Sequence, residues 1–304
     1  MLRFAVQRFL SAIPTLLILI ACAFALIRLA PGGPFDSEKK LPPEIEERLN
    51  ATYHLDEPLY QQFGRYLWNL LHGDFGPSFV YKDFTVTELI ATGFPVSLTL
   101  GAWAMLVAVM AGFLIGTFAA LRQNSRADYA VMTAAMTGIS IPNFVLAPLC
   151  ILLFSVHLGW LPAGGLDSPA SYILPVFALA LPQIAYIARL TRSSMIEVLR
   201  SDFVRTAKAQ GLSQFDIIVR HALKPALLPI VSYLGPATAA VITGSVVIEQ
   251  IFSVPGLGRF FVQGALNRDY TLVMGVVVFY GVLIILFNFL VDIAYRWLDP
   301  RVKL

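Results

Sequence analysis

Long runs without any charged residue alternate along this chain with short polar interruptions. Six runs contain no Asp, Glu, Lys or Arg: Phe9–Ile27, Val96–Leu121, Ala130–His157, Ser168–Ala188, Ala226–Ile248 and Thr271–Val291. Each reaches the roughly 18–20 residues that cross a hydrocarbon layer of about 30 Å. Spanning backbone must satisfy its own hydrogen bonds, and apolar runs of this length do so as helices. The pattern predicts an all-α polytopic membrane protein with six transmembrane helices.

Two of the interruptions have helical patterning of their own. In the first, Asp56 and Pro58 suit a helix start, and Leu59, Tyr60, Phe63, Tyr66, Leu67, Leu70 and Leu71 recur at helical spacing. His72-Gly73 closes that run, and GDFGPSF reads as a turn. This helix suits either the membrane surface or docking of an extracytoplasmic protein. The second is VRTAKAQGLSQFDIIVRHALKPALLP, Val204–Pro229. A helix ending near Gln210 meets Gly211, suited to the left-handed conformation that terminates helices, with Leu212 placed for the accompanying apolar contact. Ser213 with Asp216 resembles a capping box in which Asp replaces Glu or Gln. A second helix then runs through Phe215, Ile218 and Ala222 towards an end at Pro225.

Helix-disturbing residues punctuate the spans at Ser140-Ile141-Pro142-Asn143, Pro148, Pro175, Pro182-Gln183 and Gly235-Pro236. Proline frees carbonyls that polar neighbours or water must satisfy. Any one site reads as a kink; together they suggest a solute pathway, with Asn143 and Gln183 as candidates for its wall.

Composition agrees with a membrane protein: 304 residues, 57% hydrophobic and only 13% charged, against about a quarter charged in soluble domains. Lys and Arg sort by side. With the N-terminus cytoplasmic, the inside segments carry 14 of them and the outside loops 7, an imbalance that places both termini inside. The chain then divides into residues 1–30 with the first span, an extracytoplasmic loop at 31–95, and a five-helix core at 96–304 that includes a cytoplasmic loop at 189–225. Arg3 and Arg8 before an apolar run imitate a secretory signal, and Leu19-Ile20-Ala21-Cys22 imitates a lipoprotein cleavage site. The run continues to Ile27, so this is read as the first span. Cys22 and Cys150 both fall within spans and imply no disulfide framework.

No catalytic site, metal site or cofactor site is legible. Gly-Lys occurs nowhere, so the phosphate-cradling Walker loop is missing. His54, His72, His157 and His221 share no ligand spacing. The span interiors carry no charge that would couple an ion; Glu249 and Asp292 sit at run ends, near water.

The loop between spans four and five admits two sharp readings. Its helix-turn-helix spacing, through Ala207, Gly211, Ser213 and Ile217, imitates a DNA-binding unit. The second helix would turn Asp216 towards phosphates, and both ends are tied to the membrane, so nucleic acid is excluded as a partner. The other reading is protein docking, in which a cytosolic partner pushes on a short helix held against the spans.

Here the chain resembles the membrane subunits of ABC importers. Their cytoplasmic loop carries Glu-Ala-Ala, three residues and Gly, then a helix ending Ile-x-Leu-Pro. In this sequence Arg205-Thr206-Ala207 occupies the triplet, in the form typical of the peptide branch, Gly211 is the glycine, and His221–Pro225 replaces the usual ending. RLAPGGPF at 28–35, YHLDEPLYQQFGRY at 53–66, GDFGPSF at 73–79, HALKPALLP at 221–229, VIEQIFSVPGLG at 247–258 and ALNRDYTLV at 265–273 are similar to oligopeptide-permease B subunits.

The resemblance implies a multi-pass subunit of the bacterial cytoplasmic (inner) membrane. It would enclose the pathway with a homologous second permease subunit, two cytosolic ABC ATPases that bind ATP and Mg, and an extracytoplasmic peptide-binding protein. Gly211 would be the pivot of the coupling loop, Arg205, Thr206 and Ala207 its support. Leu212 and the Ser213–Arg220 helix, with Phe215, Asp216 and Arg220, would seat in an ATPase groove. Gly211→Asp is then expected to abolish transport by distorting the turn. Importers of dipeptides, glutathione or nickel share parts of the pattern. A secondary transporter working alone is the remaining alternative.

Overall fold

The computed structural model describes residues 2–29, 56–81 and 83–298. The loop segment at 30–55, which the sequence reading assigns to the extracytoplasmic side, lies outside the described residues, as does the C-terminal segment from 299. All described secondary structure is helical apart from one isolated bridge between Pro77 and Thr85.

Among the described residues, five helices are long and apolar enough to cross a membrane: α1 (Leu2–Leu29), α3 (Val86–Leu121), α6 (Pro169–Leu199), α8 (Gln214–Ile251) and α10 (Tyr270–Leu298). A sixth span exists only if α4 (Arg126–Ser140) and α5 (Asn143–His157) count as one, and these are bent by 104° to each other. The bend falls on the flagged Ser140-Ile141-Pro142-Asn143. Proline disfavours the helical region for the residue before it, and Ile141 is extended at φ −95°, ψ 117°. The sequence therefore locates the break, while the unbroken third span that it predicts is two helices. Between the spans lie α2 (Leu59–Leu71), α7 (Asp202–Ala209) and α9 (Leu257–Leu266).

The chain forms two compact units, residues 1–96 with 255–283, and residues 97–254 with 284–304. In the first, α2 turns Tyr66 onto Ile20 and Phe24 of α1 and Met274 and Val278 of α10. Phe24 and Phe63 meet edge to face, 5.2 Å between centroids. Burial pushes the Tyr66 hydroxyl well above the ordinary tyrosine range. Asp269, fully buried, ties the GDFGPSF turn to the start of α10. It accepts from the Ser78 hydroxyl at 2.5 Å and from the backbone N–H groups of Phe79, Val80 and Leu272 at 3.1–3.2 Å.

In the second unit, α6 is the most buried span, and it packs against α4, α5 and α8. Glycines let α3 approach it closely. A Cβ on Gly112 would stand 2.8 Å from Ile187 Cβ, and one on Gly116 would overlap the Ala188 carbonyl. This Gly-x-x-x-Gly spacing places two backbones in contact where lipid offers no hydrophobic drive. Asp128 on α4 receives both Nε and Nη2 of Arg192 from α6 at 2.7 Å. Large apolar side chains are exposed along α3, Trp103 and Leu114 among them.

Candidate functional site

The hairpin between α6 and α8 is built as a rigid unit. α7 ends at Gln210, and Gly211 takes φ +80°. Its N–H donates to the Lys208 carbonyl at 3.0 Å, and the Leu212 N–H donates to Ala207 at 3.3 Å. This pair of bonds is the full Schellman closure, which satisfies carbonyls a helix end leaves orphaned. The Ser213 hydroxyl then accepts from the Asp216 N–H at 3.1 Å and donates to the Asp216 carboxylate at 2.6 Å. The capping is therefore half a box: the Asp216 carboxylate accepts from the Ser213 hydroxyl, where a full box would have it accept from a backbone N–H.

Val204 and Ala207 from α7 and Ile217 from α8 bury against one another and fix the angle of the hairpin. A second buried cluster joins its base to the spans through Ala120 of α3, Met195 of α6, and Ala222 and Ala226 of α8. Arg200 adds a bond to Gln123 at 3.0 Å. The surface left outward is mixed. Phe215 is 73% exposed, and Phe203, Leu212 and Val219 are exposed beside it. Arg205 pairs with Asp202, and Arg220 with Asp216, both at 3.2 Å. Thr206 bonds back to the Asp202 carbonyl.

One sequence reading changes here. The second helix does not end at Pro225; it continues as α8 to Ile251. Residues Ile217–Ala222 form a π turn directly upstream. Shifting the donors by one residue relieves the standard i−4 contact between a proline ring and a carbonyl, so the helix passes the proline.

The two pathway candidates find different surroundings. Asn143 opens α5, with Oδ1 buried and no hydrogen-bond partner. Gln183 on α6 accepts from the Tyr233 hydroxyl of α8 at 2.7 Å. Tyr186 lies 5.9 Å from the Tyr233 ring, and Arg189 sits 5.4 Å over Tyr186. The tyrosines and the arginine escape sequence reading because the pairing joins residues 50 apart.

Glu249 also departs from expectation. It is fully buried rather than near water, and accepts from the Ser97 and Ser245 hydroxyls at 2.6 and 2.5 Å. Two charge-assisted bonds offset the burial of a carboxylate. Among the described residues, no three His, Cys, Asp or Glu gather as a metal site.

Comparison with known proteins covers the whole chain. Residues 112–304 match the family of the binding-protein-dependent transport system inner membrane component, and residues 1–101 match the N-terminal membrane component of such systems. The chain is 55% identical over 305 residues to the oligopeptide transport system permease protein OppB of Haemophilus influenzae, covering 100% of both. It is 48% identical to the dipeptide transport system permease protein DppB of Bacillus subtilis, covering 100% of this chain and 99% of that one. An inward-facing structure of the MetNI methionine ABC transporter superposes on 69% of this chain and 96% of its own, with TM-score 0.61 at 18% identity.

Proposed function

Because this chain belongs to the inner membrane components of binding-protein-dependent transport systems, we propose that it is the membrane subunit of an ATP-driven oligopeptide importer. The observation that carries the cargo is full-length likeness to an oligopeptide permease. The dipeptide permease relative supports shorter peptides as the second reading.

In this reading the chain sits in the bacterial inner membrane with both termini and the α7–α8 hairpin cytoplasmic. It encloses the pathway with a second permease subunit. Two cytosolic ATPases bind ATP and Mg, and each docks on a coupling hairpin. The exposed Phe215 side chain and the Asp216–Arg220 pair supply an apolar anchor with a polar rim. Gly211 holds the turn, and the clusters at its two sides carry a displacement into α3, α6 and α8. The platform around α2 and the Asp269-bound turn faces the extracytoplasmic binding protein. Closure of the ATPases on ATP moves the hairpins and opens the pathway outward; hydrolysis resets it.

The test is a mild-detergent pull-down of the tagged chain from its native membrane, with co-purifying chains identified by mass spectrometry, followed by reconstitution with labelled peptides. Recovery of ATPases and a second multi-span subunit, with ATP-dependent peptide uptake, is the expected result. A chain that purifies alone and transports unaided would overturn the reading in favour of a secondary transporter.

A further inference from the structure

A polar track runs along spans that lipid would otherwise claim. On α6, Gln183, Tyr186 and Arg189 recur every third residue and share one face. The first two are half-buried and Arg189 is exposed. Tyr233 of α8 joins them by donating to Gln183 at 2.7 Å. Neighbouring α4 exposes Thr133, Thr137 and Ser140, also on one face.

Two contacts place these sets at one level. Gly138 lies against Leu181, where an added Cβ would stand 2.8 Å from Cγ, and Asp128 lies against Arg192. The helices are therefore antiparallel, and their register brings Thr137 level with Gln183 and Thr133 level with Tyr186. Thr137 and Ser140 donate back to carbonyls of their own helix, which leaves their oxygen lone pairs as outward acceptors.

Polar and ionisable groups within spans avoid lipid and face water or protein. Amide, phenol and hydroxyl groups along a face bond to peptide backbone whatever its side chains, a property that suits a varied cargo. A guanidinium at the end of the row has different chemistry. Its planar fork matches a carboxylate, and among the described residues Arg189 is held over the Tyr186 ring rather than within an ion pair like that of Arg192.

We propose that the Gln183–Tyr233 pair, Tyr186 and Arg189 form a substrate-contact track for peptide backbone, in which Arg189 receives a free C-terminal carboxylate. This rests on the peptide-importer reading and adds to it a determinant within the membrane subunit.

The full complex in proteoliposomes tests it with two peptides of one sequence, one with a free C-terminus and one amidated, both bound by the same binding protein. Arg189→Gln lowers uptake of the free-carboxylate peptide by about tenfold relative to the amidated one, the loss that a charge-assisted pair implies. Arg189→Lys restores part of that preference. Uptake of the amidated peptide reports that the variants fold and assemble. Tyr233→Phe lowers uptake of both peptides alike. An unchanged free-to-amidated ratio in Arg189→Gln overturns the proposal and leaves the importer intact. A wild-type complex that imports neither peptide overturns the peptide reading, and this inference with it.

Discussion

Substitution of Gly211 separates backbone strain from contact with a partner. The residue holds φ +80°, and a Cβ added there meets no atom within 4 Å. Any cost inside this chain is therefore conformational. An L-residue in the left-handed region costs about 1–2 kcal/mol, so Gly211→Ala lowers the weight of the closed turn by about fivefold or more. Asn and Asp enter that region readily because their short side chains bond locally. A β-branched residue is a genuine outlier there, and Gly211→Val opens the turn and breaks both bonds from residues 211 and 212. The assay is ATP-driven uptake by the reconstituted complex, read beside retention of the ATPases in pull-down. The expected order is Gly close to Asn, then Ala, then Val with neither uptake nor partner. On strain alone Asp equals Asn, so the turn distortion expected of Gly211→Asp from the sequence does not hold at this open position. Loss of transport in Gly211→Asp beside an active Asn variant therefore measures charge at the proposed docking face, since the turn has room for either. An inactive Asn variant, or a Val variant working at the normal rate, would refute the strain argument.

Three further outcomes follow from buried contacts. Asp128→Ala removes both bonds to Arg192 and leaves that cation without its carboxylate, destabilising the fold by about 3 kcal/mol; titration with denaturing detergent reads it, and Arg192→Met in the same chain recovers part of the loss. Asp269→Ala orphans the buried donors that meet its carboxylate, each costing about 1–3 kcal/mol, so protease cleavage of the turn at 73–81 accelerates in intact vesicles. Gly116→Ala forces α3 off α6, because the Ala188 carbonyl and Thr191 Cβ occupy the space; membrane yield falls sharply, whereas Gly64→Ala, which meets nothing within 4 Å, leaves yield unchanged.

The long spans were legible because lipid imposes one rule on every residue of a run: no charge. The Schellman turn was legible for a similar reason, since Gly211, Ser213 and Asp216 act within a few residues of one another. Pro142 marked the site of the break between α4 and α5, but not the angle, which depends on how α5 packs after the chain turns. The π turn at Ile217–Ala222 has no residue signature that separates it from ordinary helix. Glu249 looked like a boundary residue because its partner Ser97 lies 152 positions away. Gly112 and Gly116 did carry a readable signal, the small-residue spacing of close helix pairs. An apolar run conceals such a pair unless spacing is sought within it.

The passage of α8 through Pro225 gives the molecule a lever. A helix of 38 residues is about 57 Å long at 1.5 Å per residue. Its base is the hairpin, and its far end carries Glu249 in its two-serine socket. Pivoting such a rod by about 5° shifts the distant end by about 5 Å, more than the 2.6 Å between Glu249 and the Ser97 hydroxyl on α3. A small rotation beneath Phe215 is thus enough to part a buried carboxylate from Ser97 of α3, while Ser245 travels with it on the same helix.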